Sequence, residues 1–314
     1  MKCVVTGAAG FIGSALSKKL LSRGHRVVGI DNFSPYYAKA LKKTNLDRLK
    51  GLKGFSFMEK DILRAGLPEL LKGAEYVFHL AAQAGVRSSW GEEFKIYTDN
   101  NIMASQKLLE AVKNCRSLKK LVYASSSSVY GDAEELPARE TTPTNPMSPY
   151  GVSKLAAEKL CLLYQKNYGV PAVAVRLFTV YGPGQRPDMA FNIFVKKILG
   201  GEALPVFSGG RQTRDFTYID DITEGIILAA GKGIPGEVYN LGGGNRISLN
   251  GAIKIIERLA GRKACVLRKG SVKGDMKHTW ADISKAKKQL GYSPKTKIEE
   301  GLRKEYAWMQ NTLA

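Results

Sequence analysis

The segment Lys2–Asp31 restricts this chain more than any other. It reads KCVVT, then GAAGFIG, then a helical stretch through Leu21, then a second short run, Arg26–Ile30, that ends at Asp31. Gly7 lets the chain turn sharply out of the first strand. Gly10 removes a side chain where backbone N–H groups must approach a ligand, and Gly13 lets helix and strand pack closely. The N–H groups that open a helix carry positive partial charge, so this turn makes a cradle for a pyrophosphate. Asp31 lies 18 residues past Gly13. A carboxylate there accepts ribose hydroxyls and repels a 2′-phosphate, which favours NAD over NADP. The competing use of such an N-terminus is a signal peptide, with a basic n-region and an unbroken apolar run. Here one basic residue, Lys2, precedes a run that Gly7, Gly10 and Gly13 interrupt, and the chain is expected to be cytoplasmic.

Alternating strand-like and helix-like segments continue for most of the 314 residues. They predict an α/β fold, a doubly wound parallel sheet (Rossmann) with a smaller C-terminal substrate-binding domain and ligands at the carboxyl ends of the strands. No run reaches the ~18–20 apolar residues that span a bilayer. Cys3, Cys115, Cys161 and Cys265 are scattered, as are His25, His79 and His278, so neither a disulfide framework nor a metal site is expected. The net charge of +20 raises nucleic acid as a partner. Yet the lysines fall in pairs such as Lys18-Lys19, Lys42-Lys43 and Lys287-Lys288 beside apolar residues at helical spacing. They read as solvated helix faces, which leave a field that attracts small polyanions.

SPYGVSKLAAEKL (Ser148–Leu160) sets Tyr150 and Lys154 four apart on one helical face. An ammonium beside a phenol favours the phenolate, so Lys154 is expected to lower the Tyr150 pKa toward working pH. Such a tyrosine takes the proton of a hydroxyl whose carbon gives up hydride. Ser126 precedes Tyr150 by 24 residues, at the end of the strand-like KLVYASS, where its hydroxyl could bridge Tyr150 and a substrate oxygen.

The G-x-x-G-x-x-G spacing, the acid after the second strand and the Ser126, Tyr150 and Lys154 set resemble the extended short-chain dehydrogenase/reductase superfamily. By that resemblance Phe11, Ile12 and Asn32 join the three glycines and Asp31 at the dinucleotide. Phe57–Ile62 brings a third strand whose Asp61 and Ile62 meet adenine, and Val77–Arg87 brings a fourth strand whose loop, Leu80, Ala81, Ala82 and Gln83, lies along the dinucleotide. Asn101, in the helix Asn100–Ala111, supports the nicotinamide end, where Tyr150 and Lys154 also touch the cofactor.

The resemblance narrows to nucleotide-sugar epimerases. Val175–Phe191 is similar to their sixth strand and substrate loop, with Asn192 just beyond. In Arg211–Ile222 the resemblance gives Arg214 the substrate diphosphate, and Val238–Gly244 returns a strand to the sheet. Lys273–Pro294 matches their C-terminal signature, with Asp275 at the uridine ribose and Val272 where many relatives carry an arginine, for which Lys273 or Arg268 could substitute. Related dehydratases and decarboxylases carry an acid two residues before the tyrosine of VYG, where this chain has Ser128, beside Ser127. Without that carboxylate, the expected fate of an oxidised C4 is return of the hydride to the other face.

RPDMA (Arg186–Ala190), Asp31–Lys43 and Thr179 resemble UDP-glucuronate 4-epimerases. The resemblance assigns Arg186 to the sugar carboxylate, through a planar fork suited to bidentate bonds. It also places Ser127, Ser128, Thr179 and Arg87 around the sugar. The expected organisation is an NAD-binding domain over 1–180, completed by about 217–244, and a mainly UDP-sugar-binding region over 181–314, with a homodimer formed through the helices that hold Asn101–Ala111 and Tyr150–Tyr164. The expected activity is UDP-glucuronate 4-epimerisation. UDP-glucose/UDP-galactose epimerisation is the alternative, and a non-catalytic NAD-binding module a distant one.

Overall fold

Apolar runs without alternation make strands that must be covered on both faces, and in KCVVT all but the first residue are buried. The computed structural model describes residues 1–313. Its strands are β1 (Lys2–Thr6), β2 (Arg26–Asp31), β3 (Phe55–Glu59), β4 (Tyr76–His79), β5 (Lys120–Ser126), β6 (Ala172–Leu177), β7 (Val180–Tyr181), β8 (Leu204–Phe207), β9 (Thr213–Tyr218), β10 (Val238–Leu241), β11 (Asn245–Ser248) and β12 (Val266–Lys269). Its α-helices are α1 (Phe11–Ser22), α2 (Lys39–Asp47), α3 (Leu67–Leu71), α4 (Phe94–Tyr97), α5 (Ala104–Val112), α6 (Pro149–Tyr168), α7 (Ala190–Gly200), α8 (Ile219–Lys232), α9 (Leu249–Ala260), α10 (Ser284–Leu290) and α11 (Ile298–Leu313).

Seven strands form one parallel sheet in the order β10-β6-β5-β4-β1-β2-β3. The chain reverses direction across this sheet between β1 and β4, and at such a switch point the loops splay apart to leave a crevice. Two smaller sheets, β11-β9-β7 and β12-β8, lie outside it. Of the segment 217–244 expected to complete the large sheet, Val238–Leu241 does so, beside β6. Thr213–Tyr218 instead pairs with β7 and β11. One continuous apolar cluster runs from Val5 and Leu16 through Phe191 and Ile256 to Leu302, so the outer helices α7, α9 and α11 share a core with the sheet.

Two glycines are required by this geometry. Gly7 has φ +71°, and a Cβ there would stand 2.9 Å from the Ala81 nitrogen on the facing loop. A Cβ on Gly13 would lie 2.0 Å from the Gly7 carbonyl oxygen. Among the helices, α6 has defined ends. Ser148 caps it by accepting the Gly151 N–H at 3.1 Å, Pro149 occupies the first turn, and Gly169 ends it in the left-handed region.

Candidate active site

The loops after β1 and β4 face each other across the switch point, and one hydroxyl joins them. Thr6 Oγ1 accepts the N–H groups of Leu80 and Ala81 at 3.1 and 3.0 Å and pairs with His79 Nδ1 at 2.8 Å. Burial pushes the His79 imidazole down to about 3, so it stays neutral and relays this bond to Ser105 at 2.9 Å.

Between the loops runs a groove of about 170 Å³, which opens past Asn32, Asp61 and Gln83 into a wider cleft of about 990 Å³. Gly7, Gly10, Phe11, Ile12 and Gly13 form one side, Asp31, Asn32, Asp61 and Ile62 the far end, and Leu80, Ala81, Ala82 and Gln83 the other side. The acids are oriented before any ligand arrives. Asp31 accepts the Ala9 N–H at 3.1 Å and the Phe33 N–H at 2.8 Å, while Asn32 Nδ2 donates to Asp61 at 2.9 Å. Phe33 sits at φ +50°, backbone strain of a kind that gathers at ligand sites.

Asn101 does not line the groove. It lies in a π-helical turn, Thr98–Met103, just before α5. Its amide accepts the Gln83 N–H at 2.7 Å and donates to the Gln83 carbonyl at 3.1 Å and to Ser153 at 2.8 Å. It therefore ties the groove wall at Gln83 to α6.

Ser126 ends β5, and its Oγ accepts the Ser128 N–H at 3.1 Å, which leaves its own hydroxyl hydrogen to donate elsewhere. Tyr150 stands in the first turn of α6, with its ring 6.2 Å from that of Tyr97. Burial holds the Tyr150 phenol above its ordinary value, against the lowering effects of a hydrogen bond from Ser126 and of the positive Arg186. Lys154 lies one turn further along α6 and is buried. Its ammonium lies over the Tyr123 ring at 4.5 Å, and burial pushes it down to about 7, although Glu158 draws it up. Arg176 grips Glu158 with Nε at 3.0 Å and Nη2 at 2.7 Å, and Ser125 donates to the same carboxylate at 2.6 Å. This buried fork fixes α6 to β5 and β6.

Ser127 and Ser128 are buried beside Ser126. The other expected substrate residues are more dispersed. Thr179 lies between β6 and β7, and its carbonyl accepts the Thr217 N–H at 2.9 Å. Arg186 lines the groove, but its fork is taken by Asp188 at 2.9 Å through both Nε and Nη2. Tyr36 donates to the same carboxylate at 3.0 Å. Asn192 turns its amide to the Gln185 carbonyl at 3.0 Å, so it braces the Arg186 segment. Arg214 donates to the carbonyls of Thr213 and Lys277, and burial lowers its pKa. Arg87 closes on Asp275 at 2.7 Å and stacks over Phe207 at 4.4 Å.

Ser34, Tyr36, Tyr37, Lys42 and Lys60 also line the groove, although none is expected from the sequence as a site residue. Lys42, expected on a solvated face, is buried. The sequence does carry a signal, because Lys42, Leu46 and Leu49 form an i, i+4, i+7 stripe, all of it buried.

Residues 3–242 match the NAD dependent epimerase/dehydratase family. This chain belongs to that family. It is 43% identical to a UDP-glucuronate 4-epimerase of Thermodesulfobacterium geofontis, over 99% of this chain and 96% of that one. It is 47% identical to an uncharacterised UDP-glucose epimerase of Bacillus subtilis, over 99% and 98%. The crystal structure of UDP-glucuronic acid 4-epimerase from Bacillus cereus, in complex with UDP-glucuronic acid and NAD, superposes with a TM-score of 0.97 at 46% identity, covering 99% of this chain and all of that one.

Proposed function

We propose that the protein is an NAD-dependent UDP-sugar 4-epimerase that inverts C4 of UDP-glucuronate to give UDP-galacturonate. The observation that carries this reading is the groove lined by Gly7, Gly10, Gly13, Asp31 and Arg186 at the end of a sheet whose β5 closes on Ser126 and is followed by α6, which holds Tyr150 and Lys154.

The groove residues fit NAD. The first turn of α1 offers free N–H groups to a pyrophosphate, and the Asp31 carboxylate keeps lone pairs for ribose hydroxyls. Bound NAD supplies the acceptor and later donor of the C4 hydride. Tyr150 Oη would take the 4-hydroxyl proton and return it, Ser126 would donate to the same sugar oxygen, and Lys154 would hold the cofactor and, when protonated, favour the phenolate. Position 128 carries a hydroxyl where related dehydratases and decarboxylases carry a carboxylate, so no acid stands by to drive elimination from the 4-keto sugar.

Arg186, Thr179, Ser127 and Ser128 supply donors for the sugar carboxylate, Arg87 and Arg214 for the diphosphate, and Asp275 an acceptor for the uridine ribose. Holding the carboxylate out of line with the C4 carbonyl protects a β-keto acid from losing CO₂. In this reading the Arg186 fork exchanges Asp188 for the substrate carboxylate. A second copy of the chain covers the apolar face formed by Met103, Val152 and Leu163, each about half exposed. We place the protein in the cytoplasm; among the described residues no helix is long and apolar enough to cross a membrane.

The test is to incubate the purified protein with UDP-glucuronate and with UDP-glucose, without added cofactor, and to resolve the C4 epimers. We expect turnover of UDP-glucuronate. Turnover of UDP-glucose alone would transfer the assignment to the hexose reaction, and a released pentose with CO₂ would make the enzyme a decarboxylase. Tyr150→Phe should lower kcat by about 10²–10⁴ while the protein still retains its dinucleotide.

A further inference from the structure

An ammonium buried without an anionic partner is unfavourable by several kcal/mol, unless something arrives to pair with it. Lys42 is in that position. It is 7% exposed, its Nζ has one hydrogen bond, to the neutral Ser34 carbonyl at 2.9 Å, and the flat face of Tyr37 lies 5.0 Å away. No carboxylate forms an ion pair with it among the described residues. Its side chain lines the same groove as Gly10, Phe11, Gly13, Asp31 and Arg186. Burial disfavours its charge and Asp31 at a distance favours it, while a second cation, Arg186, adds to the cost. The groove that the first turn of α1 opens into therefore also holds a buried ammonium, with one hydrogen-bond acceptor among the described residues.

We infer that Lys42 is a dinucleotide-binding residue whose ammonium contacts the NAD pyrophosphate. The inference rests on the dinucleotide reading of the groove. It also explains the covering segment. Ser34, which Lys42 holds from below, begins a stretch whose Tyr36 crosses to Asp188 and packs on Gly85, where any Cβ would come within 2.2 Å of the Tyr36 oxygen. An anion that attracts Lys42 thus draws the same stretch down over itself.

The experiment measures release of resident NAD from the purified protein, chased with excess etheno-NAD, and its displacement by ADP-ribose, in wild type, Lys42→Met and Lys42→Arg. Melting temperatures are recorded with and without saturating NAD. Lys42→Met should release NAD at least about tenfold faster and bind ADP-ribose correspondingly less well, with Lys42→Arg in between and the NAD-induced rise in melting temperature reduced. Release within about twofold of wild type, with a lower melting temperature in both conditions, would show that Lys42 only ties down Ser34 and would overturn the assignment. Wild-type protein that neither carries nor takes up NAD would instead overturn the dinucleotide reading itself.

Discussion

The glycine-turn groove and the charged segments around Arg87 and Arg186 are built differently. The wall under the glycine turn is made of backbone: β1 and β4 side by side, the α1 N–H groups, and Thr6 Oγ1 joining the facing loops. The charged segments are a wall of long side chains instead. Arg87 reaches Asp275, and Arg186 reaches Asp188, from segments with little regular structure. A backbone wall is set in shape when the chain folds. A wall of partly exposed ion pairs holds little stability in each pair, so those pairs can exchange partners for the charges of a ligand. The first suits a cofactor that stays, and the second a substrate that enters and leaves.

The largest test of this contrast lies beneath the rigid wall. Arg176→Met strands the Glu158 carboxylate in the core, and loss of one partner of a buried pair costs about 3–5 kcal/mol, to be read from urea unfolding. Gly13→Ala attacks the backbone itself, because the new Cβ meets the Gly7 carbonyl. Overpacking of this kind costs about 1–3 kcal/mol, and NAD should no longer copurify.

Lys154 gives a pH signature. Its folded pKa of about 7 lies below the unfolded value near 10.4. As pH rises above 7 the folded state sheds a proton that the unfolded state keeps, so stability increases with pH. Between pH 7 and 8 wild type should gain about 1 kcal/mol relative to Lys154→Met; parallel curves would contradict the assigned shift. The smallest effect belongs to the flexible wall. Asp275→Asn should change stability by less than about 1 kcal/mol while raising KM for the UDP-sugar. A large loss of stability there would abolish the distinction between the walls.

The backbone wall is legible in the sequence because its determinants are local. Three glycines, a β-branched run and an acid at fixed spacing specify the turn and Asp31, while Asp61 and the Leu80–Gln83 loop are what the resemblance implies. The side-chain wall depends on residues far apart in the chain. Even the Asp188 partner of Arg186, two residues away, is not foreseeable, because spacing does not show which carboxylate a fork will take. Lys42 escapes a reading by pairs, since paired lysines usually face water; only its place at the head of a leucine stripe marks it. The Tyr150–Lys154 spacing is right for a shared helix face, but the depth of burial that sets their proton affinities comes from β5 and β6, not from the helix.

The Arg87–Asp275 bridge joins positions 188 residues apart. During synthesis the glycine turn, β1, β4 and α6 all leave the ribosome long before Asp275 does. The pair can therefore form only after the glycine turn and the strands around it have all been made, and α10 and α11 follow it still.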